Sequence, residues 1–269
     1  MLSKTSRVLT YALALLYAAL GLLLFFLPEQ LAPVFAWKVT GFMTMTIGAW
    51  CLGNAFLAFL TARRWQWGLV YASLIYLWAF GLTEAAVVAL FRTKLQLVHP
   101  VAWLYLACIA VNVLAAVVGL ADWLRLRPAR AGAEHLVGLL RWFPIAFVVI
   151  VGFLGLYGLM AQIGDLATNG EIFPEIMSLF TLRSFGAFYI SLAISVVPLM
   201  FEKDRAPSQH HAFAALGLVV IITIAALVYL RLFDFAQHPF RIAYFAAYLL
   251  SGFFQVLLIL RYGTGRRGA

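Results

Sequence analysis

An ionisable side chain inside a long apolar run has no water to solvate it, so such residues are the first candidates for chemistry in this chain. Glu84, in the segment GLTEAAVV, is the one acidic residue well inside such a run, and Arg183 sits near the start of another. A carboxylate and a guanidinium at similar depth suit a buried pair, in which each charge offsets the other's desolvation cost. The alternatives are an Arg183 that snorkels to the interface and a Glu84 that is protonated or meets a hydroxyl.

His99 and His238 come next. Each precedes a proline and follows an arginine by seven residues, in the shared pattern of Arg92, His99 and Pro100 against Arg231, His238 and Pro239. Two symmetric imidazoles suit haem iron or proton shuttling. His-Pro is equally a helix start, because proline suits the first helical position and a polar residue caps the helix before it. Arg92 and Arg231 then close the preceding helices, where a cation complements the macrodipole, or hold a lipid phosphate. Glu84, Arg92, His99, Arg183, Arg231 and His238 together form the candidate ligand-binding set. His210 and His211, beside the charged EKDR segment, read as a solvated loop.

No catalytic set accompanies them. The chain has no phosphate-binding glycine loop, no HExxH and no nucleophile elbow. Its two cysteines, Cys51 and Cys108, lie in apolar runs with no metal-ligand spacing, so they read as small packing residues. The residues therefore lean away from an enzyme and name no cofactor.

The elements that must position these side chains are membrane helices. Of 269 residues, 65% are hydrophobic and 11% charged, against roughly 25% charged in a soluble domain. A span needs about 20 apolar residues. Eight such stretches fall near 8–27, 41–62, 68–91, 100–121, 143–163, 179–201, 212–233 and 240–261. The net charge of +9 is no nucleic-acid signal, because the basic residues alternate between loops. With the N-terminus inside, thirteen lie on the inner side and six on the outer. That bias predicts cytoplasmic N- and C-termini in a bacterial inner membrane.

The chain also repeats itself. Residues 92–105 and 231–244 share R-x6-H-P-x4-Y at an offset of 139, and TIGAW at 46–50 matches SFGAF at 184–188 at an offset of 138. Thr40 pairs with Ser178, Phe35 with Phe173 and Phe42 with Phe180 at the same 138. Internal similarity at a long period signals repeated units. The fold expected is all-α: eight transmembrane helices as two tandem parallel four-helix repeats, related by a pseudo-two-fold axis along the membrane normal. The first repeat spans 1–121, a cytoplasmic linker 122–140, and the second repeat 141–269. Gly48–Ala49 and Gly186–Ala187 read as close-packing positions near the repeat interface. Asn54, Asn112, Gln162 and Gln255 read as interhelical hydrogen-bonders. Trp37, Trp65, Trp67, Trp103, Trp123 and Trp142 read as an aromatic belt.

Three functions fit this sequence. The first is a non-catalytic subunit of a larger membrane complex, with other membrane subunits as partners. The second is a binder or transporter of an amphipathic molecule, such as a lipid, quinone or pigment, in an outward-facing crevice between the repeats. The third is a bis-histidine haem redox protein. The lipid bilayer is a partner in all three, and nucleic acid in none.

Overall fold

The computed structural model describes residues 1–128, 142–165, 168, 170–202 and 205–263. The described residues are helical, with no strand among them. Eight helices are long and apolar enough to cross a membrane. They are α1 (Lys4–Phe26), α2 (Gly41–Arg63), α3 (Trp67–Leu90), α4 (Pro100–Leu126), α5 (Phe143–Met160), α6 (Leu179–Met200), α7 (Arg205–Val228) and α8 (Ile242–Gly263). In lipid only a helix or a closed barrel satisfies its own backbone. The shortest, α5, has 18 residues and spans about 27 Å at roughly 1.5 Å per residue, close to the ~30 Å hydrocarbon core. The chain is a multi-pass membrane protein.

Local sequence sets the helix ends. The Thr40 hydroxyl caps α2 by accepting from Met43 N at 3.2 Å, and the Ser178 hydroxyl caps α6 by accepting from Thr181 N at 3.2 Å. Pro100 opens α4, a position where its missing N–H costs nothing. Several boundaries differ from the apolar runs. The last turns of α4 reach Leu126, so the linker expected at 122–140 begins inside a helix; from 129 to 140 it lies outside the described residues, as do Arg130, Arg141, Lys203, Arg266 and Arg267. The first turns of α7 reach back to Arg205, because Pro207 is tolerated there. Gln162 falls beyond the end of α5, in a loop, and not in a span.

Eight crossings put the start of α1 and the end of α8 on one side, here the terminal face; the connections at 27–40, 91–99 and 229–241, and the described residues between α5 and α6, lie on the far face. The most extensive packing joins α1 to α2 and α5 to α6. Glycine makes both approaches possible. Gly48 of α2 faces the backbone of Leu24 and Phe25, while Gly158 of α5 faces Gly186 of α6. Gly48 and Gly186 thus serve contacts inside each group of four helices; they are not at the boundary between the groups, which was their expected place. The boundary itself is made by α2 with α7, α3 with α6 and α3 with α7. There Gly53 faces Leu218 and Gly217 faces Phe56.

The first four helices close on themselves, with α4 packed on both α1 and α3. The last four do not. Helix α8 packs along α7, and no comparable contact joins it to α5. In keeping with this, the apolar stretch of α2 is 78% buried, whereas those of α5 and of the last span are each 22% buried.

Candidate functional site

Among the described residues Glu84 is the most enclosed carboxylate, 2% exposed on α3. Tyr105 of α4 donates its hydroxyl to Glu84 Oε1 at 2.6 Å. Ser184 of α6 stands close enough to interact with the carboxyl, yet Glu84 Oε2 and Ser184 Oγ are both left without a hydrogen-bond partner. Arg183 lies one residue away and does not pair with it; among the described residues Glu84 joins no ion pair. The guanidinium of Arg183 lies over the Phe91 ring, 5.4 Å from its centroid. The expected charge pair is therefore replaced by a carboxyl–hydroxyl contact and a cation–π contact. The reason is the ring column beneath Arg183, in which Phe91 stacks on Phe180 at 5.1 Å and Phe180 on Trp37 at 4.2 Å. A cation over a desolvated ring face gains about 2 kcal/mol.

The remaining predicted residues spread over the far face. Arg92, His99 and Arg231 are exposed, and His238 is half-buried. His99 precedes α4 and His238 precedes a short turn before α8, but neither side chain caps its helix. His238 Nδ1 lies 3.5 Å from a Glu171 carboxylate oxygen. Arg92 and Arg231 sit on short turns beyond α3 and α7. Between the two groups of helices the space pictured as an outward crevice is filled by rings. Trp37, Phe35, Phe42, Phe180 and Phe233 are all fully or almost fully buried there. Trp37, expected in an interfacial belt, donates its indole N–H to Thr181 Oγ1 at 3.0 Å instead. Trp103 does sit in an exposed position and donates to Leu97 O at 3.0 Å. Among the described residues no group of three or more His, Cys, Asp or Glu side chains could hold a metal ion.

The open space lies elsewhere, where α5 and α8 stand apart. A cavity of about 330 Å³ is bounded by Phe147 and Val151 of α5, Leu192 and Val196 of α6, Ala215 and Leu218 of α7, and Tyr248 and Phe254 of α8. Its wall is almost wholly apolar. Towards the terminal face, Phe143 and Phe254 stack at 4.7 Å and bridge α5 to α8.

Few polar residues line this cavity, and their polar atoms differ in how they are met. Tyr189 and Tyr248 hydrogen-bond each other at 2.7 Å. His211 is 5% exposed, with Nδ1 3.1 Å from Ser73 Oγ and Nε2 3.4 Å from Ser195 Oγ. It was expected in a solvated loop; the early start of α7 carries it into the core, where it joins α3 to α6. Ser208 Oγ and Gln255 Oε1 are buried and have no partner at all. Each such orphan costs about 1–3 kcal/mol. Sequence reasoning named His211 and Gln255 but gave them other places, a solvated loop and an interhelical bond like those of Asn54 and Asn112, and it missed Tyr189, Tyr248 and Ser208, which carry no charge to mark them. Tyr76 donates to Asn54 at 2.7 Å, and Asn112 donates to Tyr17 at 2.9 Å.

Comparison with protein-family models, with curated proteins and with solved structures finds no match to this chain.

Proposed function

We propose that this membrane protein binds an amphipathic small molecule in the cavity between α5 and α8. One observation carries the reading: the cavity is almost wholly apolar in its walls, with a few polar residues, Tyr189, Ser208, His211, Tyr248, Ser251 and Gln255, in its lining. Small-molecule sites combine an apolar concavity of about 300–1,000 Å³ with a few converging polar groups. This site differs from the crevice expected at the boundary of the two helix groups, and it draws on none of His99, His238, Arg92 or Arg231.

The cavity also gains a context if the eight helices are two tandem four-helix units about an axis along the membrane normal. Several features support that reading. The α1–α2 packing corresponds to α5–α6, and α2–α7 corresponds to α3–α6. Thr40 and Ser178, matched in sequence, both cap helices. On this reading the α5–α8 gap is the place where the first unit has its α1–α4 contact, and the second unit has opened it to receive a ligand. The excess of Lys and Arg on the terminal face supports a cytoplasmic placement of that face in a bacterial inner membrane.

Native mass spectrometry of the protein extracted in mild detergent tests the proposal. A retained amphipath of lipid size in the wild type, lost when Ala215→Trp fills the cavity, is the expected result. A bare mass, or a molecule retained equally by the Ala215→Trp variant, overturns it. Attached polypeptides would instead support the reading as a complex subunit, and haem mass the redox reading.

A further inference from the structure

Arg241 and Arg183 both sit towards the far face, and the protein treats them in opposite ways. Arg241 is buried, and all three of its guanidinium nitrogens donate. Nε and Nη2 reach Gly170 O at 2.9 and 2.7 Å, and Nη1 reaches Leu232 O at 3.0 Å. Arg183 is half-buried and donates to nothing among the described residues. It joins no ion pair among them either, although Glu84 approaches its neighbour Ser184. Its Nε is enclosed without a partner, whereas Nη1 and Nη2 are not among the enclosed atoms and keep accessible surface. The outer end of the guanidinium therefore presents its N–H donors to something outside the chain.

The surrounding structure holds that end in place. Phe91 lies under the guanidinium, 5.4 Å from its centre, and is itself backed by Phe180 and Trp37 in one ring column. Arg183 is the fifth residue of α6, so its Cα is about 6 Å below the far-face start of the helix at roughly 1.5 Å per residue. Helical side chains lean towards the N-terminus, which here is the far face. The guanidinium thus rises to the head-group layer. The positive end of the α6 dipole favours an anion at the same level. Phe91 is followed directly by Arg92, with Lys94 two residues further on, and both side chains are exposed and unbonded among the described residues.

We infer that Arg183 binds a phosphate group at the far face, gripped end-on by Nη1 and Nη2, with Arg92 and Lys94 as flanking cations. The planar fork of an arginine meets two phosphate oxygens at once. No carboxylate of the described residues supplies the counter-charge, so the anion comes from outside the chain. The depth of the guanidinium is that of a phospholipid phosphate in the far-face leaflet; free phosphate offers the same chemistry. This site shares no residue with the cavity between α5 and α8, so neither reading depends on the other.

The test titrates the purified full-length protein in mild detergent with phosphatidylglycerol, and with diacylglycerol of the same chains, which lacks the phosphate. Native mass spectrometry counts the bound lipids. The wild type should hold one phosphatidylglycerol that Arg183→Gln binds about tenfold more weakly or worse, the loss that a charge-assisted contact brings. Diacylglycerol should bind both proteins alike. Arg183→Lys keeps the charge without the fork and should also bind phosphatidylglycerol more weakly than the wild type. Inorganic phosphate separates the two sources. A thermal midpoint that phosphate raises in the wild type but not in Arg183→Gln, with no difference in bound lipid, assigns the site to the free ion. A lipid difference without that response assigns it to the phospholipid. Equal lipid binding by wild type and Arg183→Gln, with no response to phosphate, overturns the inference. Should Arg183→Gln fail to fold, Arg183→Lys decides: lipid binding and phosphate response equal to those of the wild type overturn the fork.

Discussion

The Tyr105 hydroxyl and the Glu84 carboxyl, 2.6 Å apart on α4 and α3, form the hydrogen bond on which the most buried acid among the described residues depends. Removing the hydroxyl strands both Glu84 oxygens. Tyr105→Phe should therefore lower stability by about 1–3 kcal/mol, the cost of an unmet buried group. Arg183→Gln should cost less, since it removes a ring contact and not a partner of the acid. Unfolding in mild detergent, followed by tryptophan fluorescence, measures both. A larger effect for Arg183→Gln would restore the charge pair that the sequence suggested.

Glycines on the α5–α6 seam should be graded by what a side chain would meet. A Cβ at Gly186 would stand 2.4 Å from Leu159 N, and one at Gly158 would stand 2.8 Å from Gly186 Cα. Both neighbours are backbone, so neither can swing aside. Gly186→Ala should cost about 1–3 kcal/mol, the range for overpacking. Gly152→Ala, whose Cβ would find Ala193 at 3.6 Å, should be close to neutral. Equal midpoints for the two variants in the same unfolding assay would contradict this seam.

The N-terminus is held by Asp122. Its carboxylate accepts from Ser3 N at 3.0 Å and from Ser6 Oγ at 2.5 Å. Hydrogen bonds to a charged group contribute about 1.5–3 kcal/mol. Asp122→Ala should free the first turn of α1, and amide exchange at residues 3–7 should rise. Unchanged protection there would show that Arg7, which donates to Ala62 O at 2.8 Å, holds the segment alone.

On the far face, acidification should strengthen the junction between α2 and the 170–178 segment. Burial pushes the Glu175 carboxyl above the usual carboxylate range; the Thr40 hydrogen bond opposes that push, and the Glu29 carboxylate adds to it. Glu29 in turn accepts from the Tyr229 hydroxyl at 2.5 Å. A raised carboxyl binds its proton more tightly folded than unfolded. Its contribution is thus present below the unfolded value and is lost as pH rises through the folded one. The unfolding midpoint should fall as pH rises through the weakly acidic range, and Glu175→Gln should flatten that dependence. Identical profiles for wild type and Glu175→Gln would remove Glu175 as the cause.

The sequence by itself determined the class of structure. Continuous apolar runs of span length leave the backbone no choice but helix, and Thr40, Ser178, Pro100 and Pro144 mark where helices begin. It also marked the close-packing glycines, because only a missing Cβ lets two backbones meet. Which helix each glycine faces was not legible. Gly48 could have met any neighbour, and only the packing turned it towards α1. The candidate site was decided almost wholly by tertiary structure. Charged and imidazole side chains draw attention in a sequence, yet Arg92, His99 and Arg231 are exposed to the surroundings of the far face. The cavity arises because α5 is drawn onto α6 by Gly155, Gly158 and Gly186, which leaves α8 without its counterpart. Its polar members, such as Ser208 and Gln255, look like ordinary interhelical bonders. That they line a cavity is a property of how helices are placed, not of the residues in any one of them.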